Sequence, residues 1–380
     1  MSDAITIYAV GDVGPNRADP FSIFQYTAPF IQKGDLAFCQ LEPALSRRGT
    51  PLPQARLPMR ADPEAAEAIR KAGFDVVSFA SNHCMDWGRE AFQDTIDALE
   101  AQQLHVIGVG QSIDEARAPA ILQCEGKSAK VAFLAYNSIL PQGYWAEPDR
   151  PGCAPLRAYT VYEQIEHDQP GTPCRVHTFA HRADMQGMLN DIREAKSRSD
   201  AVIVSMHWGI HFVPAAIADY QKELAYAAID AGADLILGHH PHILKGIEMY
   251  KGKAIFYSLA NFALESPFTF ADHLETKQSH KEIAALNPEF KQGSKSLPRD
   301  SYKSILVKCR IRPSGVEQVA FIPVMIDEQS QPHLLTSDDP EFAEIVSYLQ
   351  RISEDQRLEL NASIQGNEVL LHGAKGSDHE

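Results

Sequence analysis

The sequence predicts a layered α/β fold. Two observations carry this reading. Short β-rich apolar runs alternate with stretches of helical periodicity, and two of the helical stretches close on Ala-Gly, a helix C-terminal signal. Strands are expected at 5–10, 36–40, 76–80, 105–109, 131–136, 201–205, 235–237 and 254–257. Helices are expected at 62–72, 89–101, 185–198 and 215–231, with Gly73 and Gly232 ending the first and last. Residues 302–311 and 316–326 flank Pro313-Ser314-Gly315, a hairpin turn signal, and extend a sheet. Asp339 is a plausible N-cap before Pro340, which starts a helix at 339–357. The polar tail after it is expected to fray. Residues 1–330 therefore read as a single α/β domain and 331–380 as a helix with a tail. Two weakly patterned stretches, 141–182 and 271–300, are long enough to be lids or insertions over a site.

Composition narrows the partners. The chain has 380 residues, 44% of them hydrophobic, and a formal net charge of −15. Such an acidic surface argues against nucleic acid and anionic membrane. It leaves a small-molecule substrate open, because bound metal ions can reverse the field locally. The six cysteines are scattered without a CxxC pair, the start has no secretory pattern, and no apolar run approaches the ~20 residues of a spanning helix. These features predict a cytoplasmic protein with reduced thiols. A homo-oligomer is compatible with them.

Polar residues collect where the predicted strands end. Asp12 follows the first strand, Glu42 the second and Asn82-His83 the third. His207-Trp208-Gly209 and Gly238-His239-His240-Pro241-His242 follow later strands, and Tyr257-Ser258-Leu259-Ala260-Asn261 follows another. The carboxyl ends of parallel strands form the ligand crevice of open α/β sheets. A lone histidine or aspartate there is usually a structural residue or a helix cap. Two carboxylates, an amide and several imidazoles together form a donor set for borderline divalent metals such as Mn, Zn or Fe. Arg60 and Tyr257 are candidates to bind an anionic oxygen. Trp145 is a candidate pocket wall, His239 reads as a support behind the ligands, and His177 and His181 read as solvated.

These runs, together with Asp86-Trp87-Gly88 and Ala260-Asn261-Phe262, resemble the CapA family, named for poly-γ-glutamate capsule synthesis and placed in the calcineurin-like metallophosphatase superfamily. The resemblance implies a four-layer α/β/β/α sandwich with a dinuclear centre. It implies that Asp12 and His242 serve one ion, that Asn82, His207 and His240 serve the other, and that Glu42 bridges. His83 is implied to protonate a leaving atom or bind substrate, with Asp86 orienting it. Asn261 and His211 fall at the substrate side. Departures accompany the match. Gly14 stands where phosphatases carry a histidine, so one ion is expected to bind weakly. His211 stands where the family has Glu, and it reads as an added ligand, a substrate contact or a surface residue. Gln40 and Ala260 replace Asn and Gly. The expected function is a metal-dependent hydrolase that cleaves an ester, lactone or amide of a small anionic substrate. A metallophosphoesterase and a non-catalytic accessory protein in poly-γ-glutamate synthesis or export are the alternatives.

Overall fold

The computed structural model describes residues 3–166, 168, 171–265, 278–287 and 297–373. Sixteen strands form two large sheets. The first sheet holds β1 (Ile5–Gly14), β2 (Leu36–Leu41), β3 (Val76–Ser78) and β4 (His105–Ile107), mutually parallel in that order. The second holds β5 (Ala120–Gln123), β6 (Lys130–Asn137), β7 (Ala201–His207), β8 (Leu235–His239), β9 (Ile247–Tyr250) and β10 (Lys253–Phe256). Its central strands β6, β7, β8 and β10 are parallel. The chain then returns to the first sheet through β11 (Asn261–Leu264), β12 (Lys303–Arg312), β13 (Gly315–Ile326), β14 (Pro332–Leu334), β15 (Ala362–Gln365) and β16 (Glu368–Leu371).

Period-2 alternation shows how the layers stack. On β6, Val131, Phe133 and Ala135 join the core shared with the first sheet, where Phe38 and Phe133 stack with ring centroids 6.3 Å apart. Their neighbours Ala132, Leu134 and Tyr136 face the other way. There they pack with helices α3 (Arg182–Arg198) and α4 (Asp219–Ala231), which contribute Met188, Ile192, Leu224 and Ala228. On the outer side of the first sheet lie α1 (Ala65–Ala72) and α2 (Gly88–Ala101), with Ile69, Phe92 and Leu99 in the core. Helix α5 (Pro340–Asp355) packs on β13 and β9. Every residue of β2 is buried because both of its faces are covered. The expected four-layer α/β/β/α sandwich is the observed architecture.

Several boundaries differ from expectation. Helix α4 begins at Asp219, not at 215, because Ala215 adopts a left-handed φ of 51° that no helix accommodates. Strand β1 runs four residues beyond the expected end and carries Asp12 within it, paired with β11 in register Asp12↔Asn261. Residues after α5 are not all frayed: β15 and β16 form a hairpin that joins the first sheet through Ala320↔Leu370. Within 141–182, strands Ala158–Glu163 and Arg175–Ala180 make an exposed two-stranded ribbon, and only Pro141 of that stretch reaches the pocket described below. Much of 271–300 lies outside the described residues. No helix among the described residues is long and apolar enough to cross a membrane.

Candidate metal centre

Parallel strands of both sheets end at one rim, and the rim collects the polar groups. Asp12, Glu42 and His207 are fully buried, and each offers one ligand atom within 4.8 Å of the others. Asp12 stands on β1 beside Asn261, and its N–H donates to the Ala260 carbonyl at 3.0 Å. That close approach requires glycine at position 11, where a Cβ would lie 1.9 Å from the same carbonyl oxygen. At Gly14 a Cβ would meet Pro43 at 2.7 Å and Leu264 at 2.8 Å. A side chain there would require the Pro43 ring and the Leu264 side chain to shift.

Glu42 points one oxygen at each half of the cluster. Its Oε1 is 3.6 Å from His242 Nε2 and 3.7 Å from His83 Nε2. Its Oε2 accepts from Ser81 Oγ at 3.3 Å and lies 3.9 Å from His207 Nε2. In one half, His207 Nε2 and His240 Nδ1 converge on the single Asn82 carbonyl oxygen at 2.7 and 3.1 Å. In the other, His242 Nδ1 stands 3.3 Å from Asp12 Oδ2 and 2.8 Å from Asn261 Oδ1. His239 approaches Asp12 Oδ1 from beneath at 3.4 Å. His240 and His242 both hold left-handed backbone, at φ 95° and 56°. Such strain in non-glycine residues persists where a site over-determines it.

Charge in the cluster is unbalanced without a cation. Both oxygens of Asp12, Oε1 of Glu42, Nδ1 of His207 and both ring nitrogens of His239 are buried with no hydrogen-bond partner. Burial, then the Asp12 charge, pushes Glu42 up to about 7. Burial also acts to raise Asp12, but the imidazoles of His239 and His242, at 3.4 and 3.3 Å, outweigh it and hold Asp12 well below the usual carboxylate range. Burial acts to lower His242, yet the two carboxylates carry it up to about 9, so this ring supplies the missing positive charge. Burial keeps His207 and His240 neutral, the form in which imidazole offers a lone pair. Buried carboxylates with unsatisfied oxygens beside neutral imidazoles fit a divalent ion, because burying such charge unpaired is costly.

A pocket of about 270 Å³ opens over the cluster. Asn82, His83, Asp86, His211, His240, His242 and Asn261 supply its polar lining, and Met59, Ile139, Phe212 and Leu264 much of its apolar wall. His83 sits at its floor and binds Asp86 Oδ2 through Nδ1 at 2.5 Å. Asp86 in turn accepts from the Met59 N–H and the Tyr144 hydroxyl, each at 3.0 Å. Burial acts to lower His83, but the Asp86 bond and charge outweigh it and raise it. His211 lies against His240 with ring centroids 3.8 Å apart and planes tilted by 32°, and it forms pocket wall.

Three expected contacts lie elsewhere. Tyr257 directly follows β10 and joins the core on the helix side; it is fully buried, stacks on Trp208 and donates to Glu248 at 2.8 Å. Arg60 lies in a neighbouring hollow, its guanidinium 3.8 Å over the Trp87 ring. Trp145 bonds Glu147 outside the pocket lining. The arginine that lines the pocket itself is Arg56, which no periodicity or strand end marks in the proline-rich run from Pro51. His181 is not merely solvated: it caps α3 by accepting from the Asp184 N–H at 3.2 Å.

Comparison with known proteins agrees with the motifs. The family model described as "Bacterial capsule synthesis protein PGA_cap" matches residues 5–266. The chain is 30% identical over 249 residues to the PGA biosynthesis protein CapA of Bacillus subtilis, covering 65% of this chain and 58% of that one. It is 26% identical over 279 residues to the capsule biosynthesis protein CapA of Bacillus anthracis, covering 70% and 62%. Each match spans less than two thirds of the relative's length. A Mycobacterium tuberculosis protein named "Probable polyglutamine synthesis accessory protein" is 28% identical over 226 residues, covering 59% of this chain and 54% of its own length. With its family motifs gathered at one buried cluster, the chain belongs to the bacterial capsule synthesis protein PGA_cap family.

Proposed function

We propose that the protein is a metal-dependent hydrolase acting on an ester, lactone or amide bond of a small anionic substrate. The observation that carries this reading is the set of unsatisfied buried oxygens on Asp12 and Glu42, placed among neutral imidazoles under an open pocket. Asp12, His242 and Glu42 would hold one divalent ion, and Asn82, His207, His240 and Glu42 a second, with Mn, Zn or Fe suited to this mixed donor set. Such ions, when bound, supply Lewis acidity and bring the pKa of water toward neutrality.

The residues around the centre account for the remaining steps. His83 keeps Nδ1 on Asp86, so its proton-bearing Nε2 faces the reacting group and can protonate a leaving atom. Tyr144 and the Met59 N–H fix Asp86, which fixes the ring. His211, Asn261 and Arg56 line the pocket where the anionic part of a substrate enters, and the apolar wall excludes water from the bond under attack.

An accessory role in polymer synthesis is the competing reading, favoured by the name of the mycobacterial relative. Turnover separates the two. Metal-loaded protein is assayed against p-nitrophenyl phosphates, lactones and γ-glutamyl amides, with His207→Ala as the blank. Hydrolysis of a carbonyl substrate above the blank is expected. Phosphoester turnover alone overturns the choice of bond, and no turnover with both ions bound overturns the enzyme.

A further inference from the structure

Beside the metal pocket lies a second hollow of about 420 Å³, in which Arg60 and Trp87 meet. Arg60 belongs to a two-residue strand, Arg60–Ala61, paired in parallel with Ala44–Leu45. This pairing fixes its backbone, and the indole of Trp87 covers one face of the guanidinium at 3.8 Å. Stacking of this kind holds the planar fork still and leaves its edge N–H donors available.

The other arginines nearby are committed. Arg47 bonds Asp62 and Glu64, Arg48 bonds Asp94, Arg17 bonds Glu265 and Arg70 bonds Asp75. The Arg60 side chain has no ion pair or hydrogen bond among the described residues, in a chain of net charge −15. The acidic residue that lines its hollow, Asp62, is taken by Arg47 at 2.9 Å. A stacked, fixed and unpaired guanidinium in an open hollow is a receptor for an anionic oxygen group.

The hollow and the pocket are lined by alternate neighbours of the same two short segments: Pro58, Arg60 and Trp87 line the hollow, and Leu57, Met59 and Asp86 the pocket. Met59 precedes Arg60 and lines the pocket, while its N–H bonds Asp86; Trp87 follows Asp86, which bonds His83. We infer that the Arg60–Trp87 hollow is a second anion-binding subsite, taking a carboxylate or phosphate of a substrate whose reacting end lies in the metal pocket. It deepens the hydrolase reading and depends on it only for what happens at that reacting end. A substrate that reaches both places carries at least two polar ends, one cleaved and one held by Arg60.

The test reads binding without turnover. Glutarate and inorganic phosphate are titrated separately into the full chain, and the indole N–H signals of the tryptophans are followed by NMR, with Trp87→Phe assigning the Trp87 signal. The titration is repeated in His207→Ala, whose metal centre is impaired. At least one probe is expected to shift the Trp87 signal in both backgrounds, and Arg60→Gln is expected to weaken that binding at least tenfold. The tighter probe names the class: glutarate a carboxylate, phosphate a phosphoryl group. Arg60→Lys keeps the charge but loses the stacked fork, and it is expected to resemble Arg60→Gln. Failure of both probes to shift Trp87, or equal affinity in a folded Arg60→Gln variant, overturns the subsite. Absence of turnover on every substrate, with Trp87 still responding, counts against the hydrolase and leaves the subsite standing.

Discussion

The two halves of the metal cluster differ in how they carry charge. Around Asn82, the rings of His207 and His240 are neutral and share one carbonyl oxygen. Around Asp12, a deeply buried carboxylate draws His242 up to about 9, so a carboxylate and an imidazolium face each other. The imidazoles of the first half are poised to take an ion without losing a proton. The second must release one first. Gly14 adds to the contrast, because it supplies no ligand and is crowded by the Pro43 and Leu264 side chains. We propose that this difference gives the fold two ion sites of unequal affinity on either side of Glu42.

Changes to the ligands break this comparison most completely. His207→Ala or His240→Ala is expected to remove the tighter ion, seen as the loss of one ion per chain in elemental analysis of dialysed protein. Ion-induced stabilisation should fall with it, from about 2.7 kcal/mol at one hundred times Kd toward zero, as read by thermal unfolding. His83→Ala comes next. Metal content should be unchanged and turnover should drop roughly 10²–10⁴-fold, the usual range for a lost general acid. A fully active, metal-loaded variant contradicts the role given to His83.

Smaller effects sharpen the comparison. Asp86→Asn leaves the His83 ring in place but weakens its orientation, so turnover should fall about 10–100-fold with both ions retained. The pH responses of the two states should have opposite signs. Metal uptake requires Glu42, at about 7, and His242, at about 9, to give up protons, so affinity should rise with pH. In the metal-free protein His242 is raised from 6.5, so the stability it contributes is full below pH 6.5 and is lost as pH rises through about 9. Denaturant titrations at several pH values, with and without Mn, check both slopes.

Much of the layered fold could be read from the chain, because period-2 alternation and helix-ending glycines are local signals. The same alternation also contained information that motif reading passed over. Leu235, Leu237 and His239 share one face of β8, which points His239 into the core between the sheets, directly beneath Asp12. Ile255 of β10 and Tyr257 just after it join the same core on the helix side, which removes Tyr257 from the pocket. Other features had no local signal. Arg56 reaches the pocket only because a proline-rich run is folded over it, and Arg60 leaves it because a two-residue strand pairs with Ala44–Leu45. The hairpin of β15 and β16 escaped notice because its first strand is largely exposed and shows no apolar repeat.

The central claim is that Asp12, Glu42 and the facing histidines hold divalent ions. Its most direct measurement is ion stoichiometry by anomalous X-ray scattering on crystals of the wild-type chain grown with Mn or Zn. The account predicts one strong peak between Asn82, His207 and His240 and a weaker one between Asp12 and His242, with Glu42 touching both and the stronger peak gone in His207→Ala. Crystals soaked in either metal that show no peak within this cluster would contradict it.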